Sequence, residues 1–194
     1  MNSQTEIDTR VQWTSSSSPR TSTRRGGAVA AAAVQRLRRE GLEVSLSVVG
    51  DRPPAQIEEM RGVTYRGWLK KSDPVQRQEF IDLLSGSRAL IHPTLADMNP
   101  LILFEAAYHG CPAVSSRRFA IPEFLEDGRN GFLLEEPRST EELAAAMSQL
   151  AQMSPPDYAA MRLEAWRRSR QRATPEAFNA RLLHEIQIGA SHAF

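Results

Sequence analysis

Two carboxylates separated by seven residues, Asp97 and Glu105, stand on either side of a junction between a loop and an apolar helix. A short apolar run, Ala89-Leu90-Ile91-His92, ends at Pro93 and predicts a buried strand. An acidic turn follows, Asp97-Met98-Asn99-Pro100, and then a helix from Leu101 to Tyr108 in which Glu105 is the one carboxylate. Asn99 suits the N-cap of that helix, and Pro100 its first turn, where no amide hydrogen is needed. Gly110 stops the helix, and Pro112-Ala113-Val114-Ser115 reads as a second strand. Strand, loop, helix and strand form the crossover from which parallel sheets are built, and in such sheets ligands bind where strand ends face helix starts. Free amides and the positive end of the helix dipole attract an anion there, while a carboxylate in the second turn accepts hydrogen bonds from hydroxyls. This chemistry suits a molecule with phosphate at one end and sugar at the other.

A second anion-binding candidate lies earlier. Arg24-Arg25-Gly26-Gly27 opens an alanine-rich helix predicted over 28–40 and ended by Gly41. Two glycines let backbone amides approach an anion, and two arginines match the charge of a diphosphate. The same four residues also read as an exposed basic cap at a flexible boundary.

The remaining elements must position these groups. The run from Leu42 to Gly50 alternates and then turns continuously apolar, as a strand entering a sheet interior does. A short segment around Ile57 and Met60 precedes another strand, Val63 to Leu69. Asp73-Pro74 caps and starts a helix to about Ser85, with Phe80, Leu83 and Leu84 on one face. Ile121-Pro122-Glu123 begins a short helix, and Gly128 and Gly131 bracket a turn into a last strand, Phe132-Leu133-Leu134. Glu135 and Glu136 read as solvated. Ser139-Thr140-Glu141-Glu142 is a capping box, followed by Leu143, Met147 and Leu150 on one helical face. The fold class expected is α/β, a Rossmann-like parallel sheet flanked by helices, with extra carboxy-terminal helices.

Composition sets the bounds. Length 194 suits a single domain, and 24 Lys+Arg against 23 Asp+Glu leave +1, which argues against a nucleic-acid partner. Lys70 and Lys71 are the only lysines. The single cysteine, Cys111, excludes an internal disulfide and reads as buried. No metal-ligand cluster, signal peptide or run of 18 apolar residues is present, so the expectation is a cytoplasmic protein with no integral membrane segment and no metal. Residues 1–23 include a polar low-complexity stretch, Thr14 to Thr23, and are expected to form a poorly structured tail. Residues 24–153 form the expected sheet domain. Residues 154–194 form the carboxy-terminal helices, one from Tyr158 to Arg172 and one from Thr174 to about Ile188, and the arginines at 167–172 read as a solvated helix face.

Asp97-x7-Glu105, the run Ala106 to Val114, Ile121-Pro122-Glu123 and Gly128 to Leu133 together resemble the carboxy-terminal half of a family-four (group 1) retaining glycosyltransferase with the GT-B fold. That family carries a Glu-x7-Glu pair, an EA...G.PV run, PE and dG.nG.L in this order and spacing. The resemblance implies one half of a GT-B fold that binds a nucleotide-diphosphate sugar, the donor of a retaining hexosyltransferase whose acceptor is unknown. A separate amino-terminal domain would bind the acceptor. The alternative is a non-catalytic or degenerate nucleotide-sugar-binding module. By resemblance, Asp97 and Glu105 are the catalytic pair, Asp97 holding hydroxyls of the transferred sugar and Glu105 those of the ribose. Arg24, Arg25 and Gly26 match the family's RKGG loop and, with Asn99 and Leu101, would bind the diphosphate without metal or other cofactor. Gly67 and Trp68 would lie near the base, Trp68 either stacking on it or, as is commoner after a strand, packing in the core.

The sequence departs from the family at several points. Asp97 replaces the commoner glutamate, Arg25 the usual lysine and Pro100 a frequent glycine. Arg117-Arg118-Phe119-Ala120 occupies a usually glycine-rich turn, where side chains would crowd a sugar or Arg118 would contact phosphate. A hydrophobic strand normally leads into the RKGG loop, yet only Ile7, Val11 and Trp13 are available to supply one. His92 is expected to be a hydrogen-bonded structural residue and His109 a surface one.

Overall fold

Apolar runs become buried strands where the sequence expects them, and the computed structural model describes residues 9–14, 26–98 and 100–172, with side chains described from Gly26 onward. In chain order the elements are β1 (Thr9–Thr14), α1 (Gly27–Arg39), β2 (Val44–Val49), α2 (Ala55–Glu58), β3 (Val63–Gly67), α3 (Pro74–Gly86), β4 (Ala89–His92), α4 (Leu101–Tyr108), β5 (Ala113–Ser116), α5 (Ile121–Phe124), β6 (Gly131–Leu134), α6 (Thr140–Gln152) and α7 (Pro155–Arg172). The strands form one six-stranded sheet in the order β3-β2-β1-β4-β5-β6. Every described pairing is parallel.

At residues 9–14, β1 corrects the expectation of a poorly structured 1–23 tail and is the strand that Val11 and Trp13 could supply; the rest of 1–23 lies outside the described residues. Thr9–Thr14 is a central strand, paired with β2 at six positions from Thr9↔Val44 to Thr14↔Val49 and with β4 at Val11↔Ala89 and Gln12↔Leu90. The sequence Thr-Arg-Val-Gln-Trp-Thr has apolar residues only at alternate positions, whereas buried parallel strands usually read as continuous apolar runs. Ladder bonds from neighbours on both sides make up for that weak pattern.

Alternation along the inner strands sends side chains to two helical layers. Ala89, Ile91 and Val114 join α1 and α6 in one core, which includes Ala30, Val34, Leu143 and Met147. Leu90, Ala113 and Leu133 join α3, α4 and α5 in the other, with Phe80, Leu84, Leu103 and Ile121. The two helices nearest the sheet's centre, α1 after β1 and α4 after β4, therefore leave on opposite faces. The order reverses between those strands, which opens a crevice at their carboxyl ends.

Local chemistry sets the helix ends. Asp73 accepts from the amides of Val75 and Gln76 at 2.9 and 3.1 Å, with Pro74 next, as expected; the Gln76 amide first, then the Val75 amide, hold its carboxyl below the ordinary aspartate value. The capping box is only half made. Ser139 Oγ accepts from the Glu142 amide, but Glu142 turns away and accepts from the amides of Glu135 and Glu136. At α4 the N-cap position is Pro100 and has no side-chain cap, so the expected capping by Asn99 shifts by one residue, and Asn99 itself lies outside the described residues. The predicted helix over 174–188 lies outside them as well.

α7 packs on α4 and holds that layer in place. Tyr158 donates from its hydroxyl to the Arg88 carbonyl at 2.8 Å, and the Arg88 guanidinium lies 3.6 Å from the Tyr158 ring centre. Arg168 and Arg172 donate to the Glu123 carbonyl at 3.1 and 2.8 Å, and Arg162 to that of Ser85 at 3.3 Å. Two of the arginines read as a solvated face, Arg168 and Arg172, are thus ties between elements. No described helix is long and apolar enough to cross a membrane.

Candidate functional site

The turn before α1 meets the loop after β4 at the sheet's crevice. Gly26 stands at φ 77°, and a Cβ added there would lie 2.3 Å from Pro93 Cγ and 2.6 Å from the Pro93 carbonyl oxygen. Only glycine fits so close an approach with a left-handed backbone. α1 starts with no side-chain cap and no acidic residue in its first turn, and α4 starts in the same way. Two helix N-termini, each with amides its own turn cannot satisfy, therefore flank the crevice. Arg24, Arg25 and Asn99, all read as diphosphate-binding, lie outside the described residues.

The loop after β4 is built around Thr94. This threonine is fully buried, and its Oγ1 accepts from the amides of Ala96 and Asp97 at 3.3 and 3.1 Å. The resulting turn carries Asp97 back over the end of β4. There Asp97 Oδ2 lies 3.4 Å from Nε2 of His92, whose ring is wholly buried. That separation falls within ion-pair range, but neither ring nitrogen of His92 makes a hydrogen bond. His92 was expected to be a hydrogen-bonded structural residue; instead its neighbour is the proposed sugar-holding carboxylate. Its backbone carbonyl accepts from Ser115 Oγ at 2.8 Å, which ties β5 to the same point.

Glu105 sits in the second turn of α4, and Nζ of Lys71 donates to its Oε1. Lys71 also lies 4.7 Å from the ring centre of Phe80. These groups border a cavity of about 310 Å³ between α3 and α4, lined by Lys71, Arg77, Phe80, Phe104, Glu105 and Tyr108 among others. Glu105 thus borders a cavity, and Gly26, Gly67, Trp68, Asp97 and Leu101 are not among the residues that line it. The pair is half exposed, 51% for the lysine side chain and 36% for the glutamate, so a ligand hydroxyl can compete for the carboxylate at low cost. Lys71 carries no motif, and its partner is 34 residues away in sequence.

Trp68 corrects another expectation. It follows Gly67, which has φ 76° and whose carbonyl accepts from the Gly50 amide at 2.8 Å, and it is 51% exposed rather than in the core. Leu101, the first residue of α4, is exposed as well. In the turn after β5, Arg117 pairs with Asp127 and Glu135, and Arg118 with Glu136 at 4.0 Å, so Glu135 and Glu136 are not simply solvated. Phe119 takes φ 54°, the one left-handed non-glycine among the described residues. The Ala120 amide reaches the Met98 carbonyl at 3.4 Å and joins this turn to the Asp97 loop. Among the described residues no group of three or more His, Cys, Asp and Glu is placed to hold a metal ion.

A family model for group 1 glycosyl transferases matches residues 18–153, well over half of the chain. The chain belongs to that family. Among curated proteins no sequence matches. The fold is that of one half of a GT-B glycosyltransferase. Anabaena Alr3699/HepE, solved in complex with UDP-glucose, superposes with a TM-score of 0.71 at 20% identity, over 93% of this chain and 49% of that one. Sucrose-phosphate synthase from Thermosynechococcus elongatus gives 0.69 at 18% identity, over 95% and 47%. TarM from S. aureus gives 0.69 at 18%, over 92% and 35%. The group 1 chain described here therefore spans about half or less of the length of these proteins.

Proposed function

We propose that this chain is the donor-binding half of a retaining hexosyltransferase that takes its sugar from a nucleotide-diphosphate sugar. The observation that carries this reading is the contact of the Gly26 turn with Pro93, which sets two uncapped helix N-termini against the Asp97 loop at the sheet's crevice. The diphosphate lies across those N-termini, with Arg24 and Arg25 completing its charge balance. Ribose hydroxyls take the place of Lys71 on Glu105, Asp97 holds hydroxyls of the transferred sugar, and the base lies toward Gly67 and Trp68. As the glycosidic bond breaks, negative charge grows on the leaving diphosphate, and fixed amide dipoles and arginines stabilise that charge more than the ground state. These groups, rather than a metal ion, take up the charge. The UDP-glucose bound by HepE, a protein of the same fold, supports this choice of ligand.

Calorimetric titration of the full chain with uridine, guanosine and adenosine diphosphates tests the reading. One of them binds at micromolar to millimolar concentration, and Glu105→Ala weakens it about tenfold, the worth of a hydrogen bond to a charged group. If none binds at millimolar concentration, the site does not exist. The half-length match also favours a second reading, a binding module that does not transfer. Release of nucleoside diphosphate from the donor by the chain separates the two, since a module gives none.

A further inference from the structure

We infer that His92 is a positioning residue for Asp97, and that it fixes the grip on the transferred sugar without touching the nucleotide. The inference rests on the donor-site reading above and goes one residue deeper. His92 is fully buried at the carboxyl end of β4, both of its ring nitrogens lack a hydrogen-bond partner, and Nε2 lies 3.4 Å from Asp97 Oδ2. A buried polar ring with all of its hydrogen-bonding capacity unused is costly in a finished core. It is natural in a site whose geometry closes only when ligand arrives, because catalytic hydrogen bonds are often long without substrate.

The surroundings define what closes. Thr94 Oγ1 holds the amide of Asp97, so the backbone of the loop is anchored and the carboxylate moves by side-chain rotation. Ser115 holds the His92 carbonyl, so the ring sits on a fixed strand end. The two atoms are already close, and a side-chain rotation that lines Oδ2 up with the Nε2–H while shortening the gap completes an N–H···O bond. One carboxylate accepts several hydrogen bonds, so an imidazole on Oδ2 and sugar hydroxyls on the same group are compatible. The ring thereby fixes the orientation of a carboxylate one methylene shorter than the glutamate that the family resemblance leads one to expect. Nothing places His92 against the diphosphate, which separates its role from that of Glu105.

The test compares nucleoside diphosphates with their glucose conjugates, for uridine, guanosine and adenosine, by calorimetry on the full chain. His92→Leu is expected to leave the diphosphate affinity within about twofold while weakening the conjugate about tenfold, and His92→Gln, whose amide reaches the Nε2 position, to recover most of the loss. In an Asp97→Asn background, His92→Leu is expected to add little, since the two residues act as one unit. Equal loss of both ligands, an unchanged conjugate affinity, or failure of the Gln variant to recover it overturns the inference while the donor site stands. If the Leu variant does not fold, the Gln variant and Asp97→Asn decide, because both must alter conjugate binding alone, the Gln variant weakly and Asp97→Asn strongly. If the unaltered chain binds no diphosphate, the donor site falls and this inference falls with it.

Discussion

Asp97 and Glu105 share a motif but face different surroundings. Asp97 lies beside a buried imidazole in a loop tied down by Thr94, while Glu105 shares a half-exposed ion pair over a cavity. Their spacing in sequence shows both as candidates. Asp97 meets neighbours from its own loop and the strand end before it, whereas Glu105 meets Lys71, 34 residues away, and neither His92 nor Lys71 carries a sequence signal for the partner it meets. Trp68 makes the same point, since an aromatic after a strand is usually core and its exposure follows from the turn at Gly67. Cys111 was legible at once as a buried thiol. Burial pushes its pKa up to about 12, so almost no thiolate forms near neutral pH. Because the folded value lies above the unfolded one, the thiol's contribution to stability is complete below pH 9 and fades as pH rises toward 12. In a thiol-titration assay at pH 8, Cys111 is expected to stay unmodified in the native chain and to react stoichiometrically in denaturant; prompt native modification would show that the α4–β5 turn opens.

At the scale of elements, β2, β4 and β5 were readable because their apolar runs are short and bounded by turn residues. β1 was not, because four of its six residues are polar and its stability comes from ladders on both edges. Its place decides whether a crevice exists, since the order reverses between β1 and β4. Proline at Val11 removes a ladder amide in mid-sheet, where proline is scarcely tolerated. Val11→Pro is expected to lower stability by about 3 kcal/mol or more in urea unfolding followed by circular dichroism. An unchanged midpoint would mean that 9–14 does not stand in the sheet.

Taken whole, the molecule exposes large apolar residues in two settings. Trp68, Met98 and Phe119 on the loops after β3, β4 and β5, with Leu101 at the start of α4, form the rim of the proposed donor site, while Val75, Tyr108, Leu163 and Trp166 lie on α3, α4 and α7. A rim of this kind suits closure by another domain, and the acceptor-binding half proposed here would supply one. The near-neutral charge of +1 leaves ligand attraction to local groups, namely helix N-termini and the arginines at 24 and 25.

The most direct test is residue-resolved. Amide resonances of the isotope-labelled chain, followed while UDP-glucose, GDP-glucose and ADP-glucose are added in turn, report where a donor sits. The expected result, with at least one of them, is saturable movement at Gly26 and Gly27, at Thr94 to Asp97 and at Gly67 and Trp68, with α6 and α7 unmoved. No movement at millimolar ligand with any of the three, or movement confined to α6 and α7, would contradict a donor site at the crevice between β1 and β4.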